Sequence, residues 1–153
     1  MEEKYHKITP EEVFISFQER ELTKDDRWMG RKQAAFNRPS GNNFIDLFAT
    51  LLHNHGHLET KDYAERMGVS PLELNYAFQA MTGMLPSEWA NRYLLLATQE
   101  LLRETALSFK EIAIRLGFLP SVLNRLFFDR YGVRPREWRL QQKKTGEWAG
   151  KAV

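Results

Sequence analysis

The chain has 153 residues, 22 basic and 20 acidic side chains, and a formal net charge of +2. That length holds one domain or two small linked subdomains, and the 42% hydrophobic and 27% charged fractions are ordinary for a globular protein. The absence of cysteine excludes disulfides, zinc fingers and thiol catalysis; no apolar run reaches membrane-spanning length, and Met1 is followed by Glu2-Glu3-Lys4 rather than by a signal peptide.

Residues 1–42 read as a short helical extension and linker. Thr9-Pro10-Glu11-Glu12 is a helix start, with Thr9 as N-cap, Pro10 at the first position and Glu12 completing a capping box. Ile8 and Val13 form a hydrophobic staple, and Val13, Phe14 and Phe17 mark one apolar face of a helix predicted to end near Leu22. Asp25-Asp26 starts a short second helix through Met29, and Asn37 to Gly41 is a turn or linker. Exposed Phe14 and Phe17 need cover. Docking on the rest of the chain is the leading expectation, ahead of dimerisation or a vestige of a sensor.

Asn43 begins the next helix. Phe44, Leu47, Phe48, Leu51 and Leu52 fall at i, i+3, i+4, i+7 and i+8 and are expected to face inward. The helix runs into His53-Asn54-His55-Gly56-His57. Three alternating histidines invite a metal reading, but positions i and i+2 do not share a helix face. Histidine is also favoured at a helix C-terminus by the dipole, so no metal site and no cofactor are expected.

The next stretch is written twice. Ala64, Gly68, Pro71, Leu74, Phe78, Gly83, Pro86 and Trp89 recur as Ala113, Gly117, Pro120, Leu123, Phe127, Gly132, Pro135 and Trp138, always 49 positions later. Each copy reads as helix, tight turn, helix. In the first copy a short helix ends at Gly68, and Ser70, Pro71 and Glu73 start the second with a capping box. Leu74, Phe78 and Met81 face inward, and Gly83 stops that helix. In the second copy Ser108 and Glu111 form the box, Ile112, Ala113 and Leu116 face inward, and Gly117 turns the chain. Leu123, Leu126 and Phe127 pack the final helix of the copy, which closes at Gly132. Small Ala64 and Ala113 let two helices cross steeply, and the short turn between them defines a helix-turn-helix unit, whose second helix can lie in a DNA major groove.

Between the copies, Pro86 to Glu104 reads as one helix with Trp89, Tyr93, Leu96, Ala97 and Leu101 inward. At roughly 1.5 Å per residue it spans about 28 Å, a little short of one DNA turn of roughly 34 Å. Such a spacer suits two recognition helices in successive major grooves. The expected architecture is all-α: two homeodomain-like three-helix units, 43–85 and 105–144, joined by the linker helix 86–104. Residues 145–153 are read as a flexible tail.

These residues carry a resemblance. Ala64-x3-Gly68-x-Ser70-Pro71-x2-Leu74-x3-Phe78-x4-Gly83 is followed by Leu107-Ser108-x2-Glu111-Ile112-Ala113-x2-Leu116-Gly117-Phe118. Asn124-Arg125-x-Phe127 and Gly132-x2-Pro135-x-Glu137-Trp138-Arg139 complete the pattern. The chain resembles, over residues 43–140, the DNA-binding domain of the AraC/XylS family of bacterial transcription regulators. The resemblance implies double-stranded DNA as partner, RNA polymerase or a partner regulator as protein contacts, no enzymatic activity, and a bacterial cytoplasmic, nucleoid-associated location. The extension is too short for the ligand-binding barrel that many members carry, and without cysteine there is no alkyl-accepting repair function.

Charge separates the two halves. Residues 43–104 hold four basic and eight acidic side chains, whereas residues 105–153 hold ten basic and four acidic. A basic cluster is the footprint of phosphate contact. The second unit is therefore expected to dominate DNA affinity. Lys110, Arg115, Arg134, Arg136 and Arg139 are its phosphate candidates. Outward positions on the two recognition helices give the base-contact candidates: Leu72, Asn75, Tyr76 and Gln79 on the first, and Ser121, Val122, Asn124 and Arg125 on the second. Asn and Gln pair with adenine, and Arg pairs with guanine or holds a phosphate. The matching arginine can serve packing in the resembled family. Phe128 is expected to close the core, and Trp89 and Trp138 to anchor it. A second reading makes the chain a protein-interaction module with weak DNA binding, working through its acidic first unit and N-terminal helix. A third, a metalloenzyme using His53, His55 and His57, rests on the histidine cluster alone.

Overall fold

The computed structural model describes residues 6–17 and 42–146. Helices are α1 Pro10–Val13, α2 Asn43–His55, α3 Thr60–Met67, α4 Pro71–Thr82, α5 Pro86–Glu104, α6 Phe109–Arg115, α7 Pro120–Tyr131 and α8 Pro135–Lys144. No strand occurs among the described residues. The all-α expectation holds, with two helix-turn-helix units on either side of α5. Among the described residues no helix is long and apolar enough to cross a membrane.

The start signals act as the sequence implies. The Ser70 hydroxyl accepts from the Glu73 N–H at 3.1 Å, and the Glu73 carboxylate accepts from the Ser70 N–H at 2.9 Å. Ser108 and Glu111 repeat this box with the same distances, 2.9 and 3.1 Å. Hydrogen bonds from Ser108 hold the Glu111 carboxyl below its usual pKa. Pro71, Pro86, Pro120 and Pro135 all sit at helix starts, where a missing N–H costs nothing. Ala64 and Ala113 are buried at the crossings, as their small size requires.

Helix α5 is the spine. Trp89, Ala90, Tyr93, Leu94, Leu95, Ala97, Thr98, Leu101 and Leu102 are all buried on it. It packs against α2 and α4 of the first unit and against α6, α7 and α8 of the second. Leu96, expected inward, is only half-buried. Trp89 sits at the centre of the first core, edge-on to Phe48 and Phe78 and stacked on Tyr93 with centroids 5.7, 5.7 and 5.8 Å away.

Two sequence expectations are corrected here. The inward stripe of α2 is Ile45, Phe48, Ala49, Leu52 and His53, while Leu47 is 44% exposed and Phe44 and Leu51 are half-buried. The face is rotated because the N-terminal segment covers it: Phe17 lies 4.8 Å from the His53 ring. The first helix, expected to run to Leu22, ends at Val13, and Phe14 is already extended at φ −60° and ψ 130°. From Val13 onward the buried residues of this segment are Val13, Ile15 and Phe17, an alternation proper to extended chain. Backbone groups meet partners on the domain instead of a helix ladder. Ile8 N–H donates to Met81 O at 3.1 Å, Trp89 Nε1–H donates to Ile8 O at 3.0 Å, and Ile15 N–H donates to the Tyr93 hydroxyl at 3.0 Å. The Glu100 carboxylate accepts from Ser16 Oγ at 2.5 Å and from Phe17 N–H at 2.7 Å. Burial raises the Glu100 pKa, and these two hydrogen bonds oppose the rise. The expected docking is thus seen for residues 6–17. Leu22, the short helix from Asp25 to Met29, the linker Asn37 to Gly41 and the tail beyond Gly146 lie outside the described residues.

Removing the Tyr93 hydroxyl tests this strap. Tyr93→Phe leaves the Ile15 N–H buried without its acceptor and is expected to cost about 1–3 kcal/mol in urea unfolding. Amide exchange at Ile15 should speed up selectively.

Candidate nucleic-acid interface

On α4, Leu74 and Phe78 are buried, and of the positions between them Tyr76 is exposed. Leu72 is 60% exposed and Tyr76 67% exposed, Gln79 is exposed, and Asn75 is half-buried. The helix carries no basic residue in its last turn, and Glu73 occupies its first. Its amino end is already satisfied by its own capping box.

On α7, Leu123 and Phe127 are buried. Ser121 and Arg125 are exposed, and Val122 and Asn124 are half-buried. Phe128, expected to close the core, is instead 44% exposed. Successive helix residues lie about 100° apart, and Phe127 already fills the inward seat, edge-on to Trp138 at 6.0 Å. The Arg134 guanidinium lies 5.4 Å from the Phe128 ring centroid, a cation–π distance. The amino end of α7 has no side-chain cap and no acidic residue in its first turn. Pro120 has no N–H and the Val122 N–H donates to Leu119 O at 3.0 Å, which leaves the Ser121 N–H and the helix dipole to favour an anion there.

A cleft of about 460 Å³ opens beside that end. Ser121 and Asn124 of α7 line it together with Arg134, Arg136 and Glu137 at the start of α8 and Phe109 of α6. Two base-contact candidates and two phosphate candidates therefore share one concavity. Val122, Arg125, Lys110 and Arg115 lie outside its lining.

Arg139 has a different task. Its Nε–H donates to Leu102 O at 2.9 Å, and its Nη2 donates to Thr105 O at 3.2 Å and Leu101 O at 3.5 Å. Leu101 and Leu102 are in the last turn of α5 and Thr105 is its C-cap, where a helix leaves carbonyls short of intrahelical donors. Desolvation lowers the Arg139 pKa. The guanidinium ties α8 to the spine, a task other than the phosphate contact that the sequence suggests for it. Arg139→Gln is expected to cost about 1–3 kcal/mol in thermal melting while leaving the salt dependence of DNA binding unchanged.

The histidines do not converge. His53 is buried beside Phe17, and the His57 ring lies 4.6 Å from Phe118. Burial lowers the His57 pKa, opposed by Glu59. Among the described residues no cluster of three metal-ligating side chains is found.

Sequence reasoning missed Tyr93 and Glu100 as anchors of the strap. Both lie on a helix whose stripe reads as ordinary core, so no local signal marks them.

Two helix-turn-helix units on a shared spine, with a cationic cleft at one recognition helix, define a double helix-turn-helix domain. The helix-turn-helix domain family model matches residues 63–141, more than half of the chain. The chain belongs to this family, in its AraC type, whose members are DNA-binding transcription regulators and not enzymes. Solved structures agree. The DNA-binding domain of AdpA, a global transcriptional factor crystallised with a target DNA, superposes with a TM-score of 0.63 at 25% identity, covering 69% of this chain and 96% of that one. An AraC-type regulator from Chromobacterium violaceum gives 0.58 at 25% identity, covering 65% and 92%. A dual regulator from Escherichia coli K-12 shares the fold, with a TM-score of 0.61 at 18% identity and coverage of 71% and 99%. No curated protein matches the chain in sequence.

Proposed function

We propose that the chain binds double-stranded DNA in a sequence-specific way, placing α4 and α7 in successive major grooves, with the second unit supplying most of the affinity. The units are read as residues 43–85 and 105–144, with 86–104 as spacer. The observation that carries the proposal is the cleft in which Ser121 and Asn124 stand beside Arg134 and Arg136. Base-edge donors next to phosphate ligands are what a reading head needs. Lys110 and Arg115 extend the positive surface on α6. Asn75 and Gln79 are the polar readers of the first head, and Leu72 and Tyr76 suit thymine methyl groups. The target-DNA complex of the AdpA domain supports the DNA reading by similarity.

The alternative reading, a protein-interaction module, has one observation in its favour. Leu72 and Tyr76 expose apolar surface on a unit with an acidic excess. Selection of duplexes from a random-sequence pool, followed by a salt titration, separates the two. A DNA regulator enriches two blocks of defined sequence and loses affinity steeply with salt. No enrichment and a flat salt response would leave the interaction module standing.

A further inference from the structure

The turn glycine is written into both copies, yet its surroundings differ. A Cβ on Gly68 would meet nothing within 4 Å, whereas one on Gly117 would lie 3.0 Å from both the N and the O of His57. The approach is mutual. A Cβ on Gly56 would lie 2.7 Å from the Leu116 carbonyl oxygen. That same oxygen accepts the His57 N–H at 2.7 Å, and the His57 ring lies 4.6 Å from Phe118. Tyr63 braces the first-unit side: its hydroxyl accepts from Leu58 N–H at 2.8 Å and donates to Gly56 O at 3.1 Å.

The units are thus joined twice, once through α5 and once backbone to backbone. The first attachment is side-chain packing of α6, α7 and α8 on α5, with Arg139 bonded at its end. The second is made by backbone and has no side-chain slack. We propose that the clasp of Gly56-His57 against Leu116-Gly117-Phe118 fixes the spacing between DNA blocks that the protein accepts. Gly56 and Gly117 are positioning residues for specificity and need not touch DNA. The inference rests on the two-head reading above. Its lever is geometric: one base pair added between the blocks moves the second by roughly 3.4 Å and about a tenth of a turn.

The probe is the duplex recovered from a random-sequence pool by the wild-type chain. It is remade with one base pair added or removed between its two blocks, and with one block scrambled. Gly56→Ala is compared with Gly68→Ala: both glycines have φ +73°, but ψ is −152° at Gly56 and 28° at Gly68 and only Gly56 meets a neighbour, so alanine strains the clasp and not the turn. Wild type and Gly68→Ala are expected to lose roughly tenfold in affinity on a spacer change, the scale of one mismatched base pair. Gly56→Ala should lose little, while its affinity for a single block stays as in wild type. In the free wild-type chain the His57 amide should exchange slowly, a reading that needs no variant. Wild-type spacer discrimination in Gly56→Ala, or fast exchange at His57, overturns the clasp alone. If scrambling a block costs nothing, the two-head reading falls and the clasp's role in spacing falls with it.

Discussion

Replacing Trp89 with alanine is expected to destabilise the protein by about 3–5 kcal/mol, the cost of emptying a large aromatic site that cannot fully collapse. Trp89 is fully buried and in ring contact with Phe48, Phe78 and Tyr93. Its indole N–H also donates to Ile8 O, so the substitution removes one of the bonds holding the N-terminal strap. The loss therefore combines a cavity with a broken polar contact between distant parts of the chain. Urea unfolding measures the first and amide exchange over residues 8–17 reports the second. Trp138 offers the internal comparison. It occupies the equivalent position of the repeat but is only partly buried, so Trp138→Ala should cost distinctly less. Equal losses at the two sites would mean that Trp89 is not the centre of the first core.

Changing Lys110, Arg115, Arg134 and Arg136 together to glutamine is expected to flatten the salt dependence of DNA binding. Each phosphate contact removed should lower the slope of log affinity against log salt by about one. Affinity should fall for all duplexes alike, because phosphate contacts carry no sequence information. Asn124→Ala should behave differently, weakening preference at one position by about 1–3 kcal/mol while leaving the slope unchanged. The pair Asn75→Ala and Gln79→Ala should cost less affinity than the four-cation change, since α4 brings no basic partner and its amino end is closed by its own Glu73 carboxylate. Titrating fluorescent duplexes at several salt concentrations checks all three. A salt slope untouched by the four substitutions would mean that the cationic cleft does not meet DNA.

The asymmetry between the two heads has a local cause. Both recognition helices begin with proline and end at a glycine in the left-handed region, φ 77° at Gly83 and 78° at Gly132. Only α4 has Ser70 and Glu73 to close its first turn. The box of the second copy, Ser108 and Glu111, stands on α6, one helix earlier. The duplication kept the frame and moved the cap, which leaves the amino end of α7 open toward Arg134 and Arg136.

Local chemistry on its own determined a great deal here. Proline, serine–glutamate pairs and glycine mark helix ends through bonds that close within a few residues, so α3 to α8 could be placed from the repeat. The spine from Pro86 to Glu104 was legible in the same way, because nothing within it interrupts the helical period. Tertiary structure decided what depends on distant partners. Ile15 and Phe17 lie beyond the helix that Thr9 and Pro10 begin, because Tyr93 and Glu100 offer their backbone N–H groups acceptors. Arg139 looks like any surface cation in the sequence and becomes a helix cap only where α8 crosses the end of α5. Phe128 turns outward because its neighbour Phe127 already points into the core. Gly56 meets Leu116, and Gly117 meets His57, across 60 positions of chain, a closeness that no periodicity or spacing encodes.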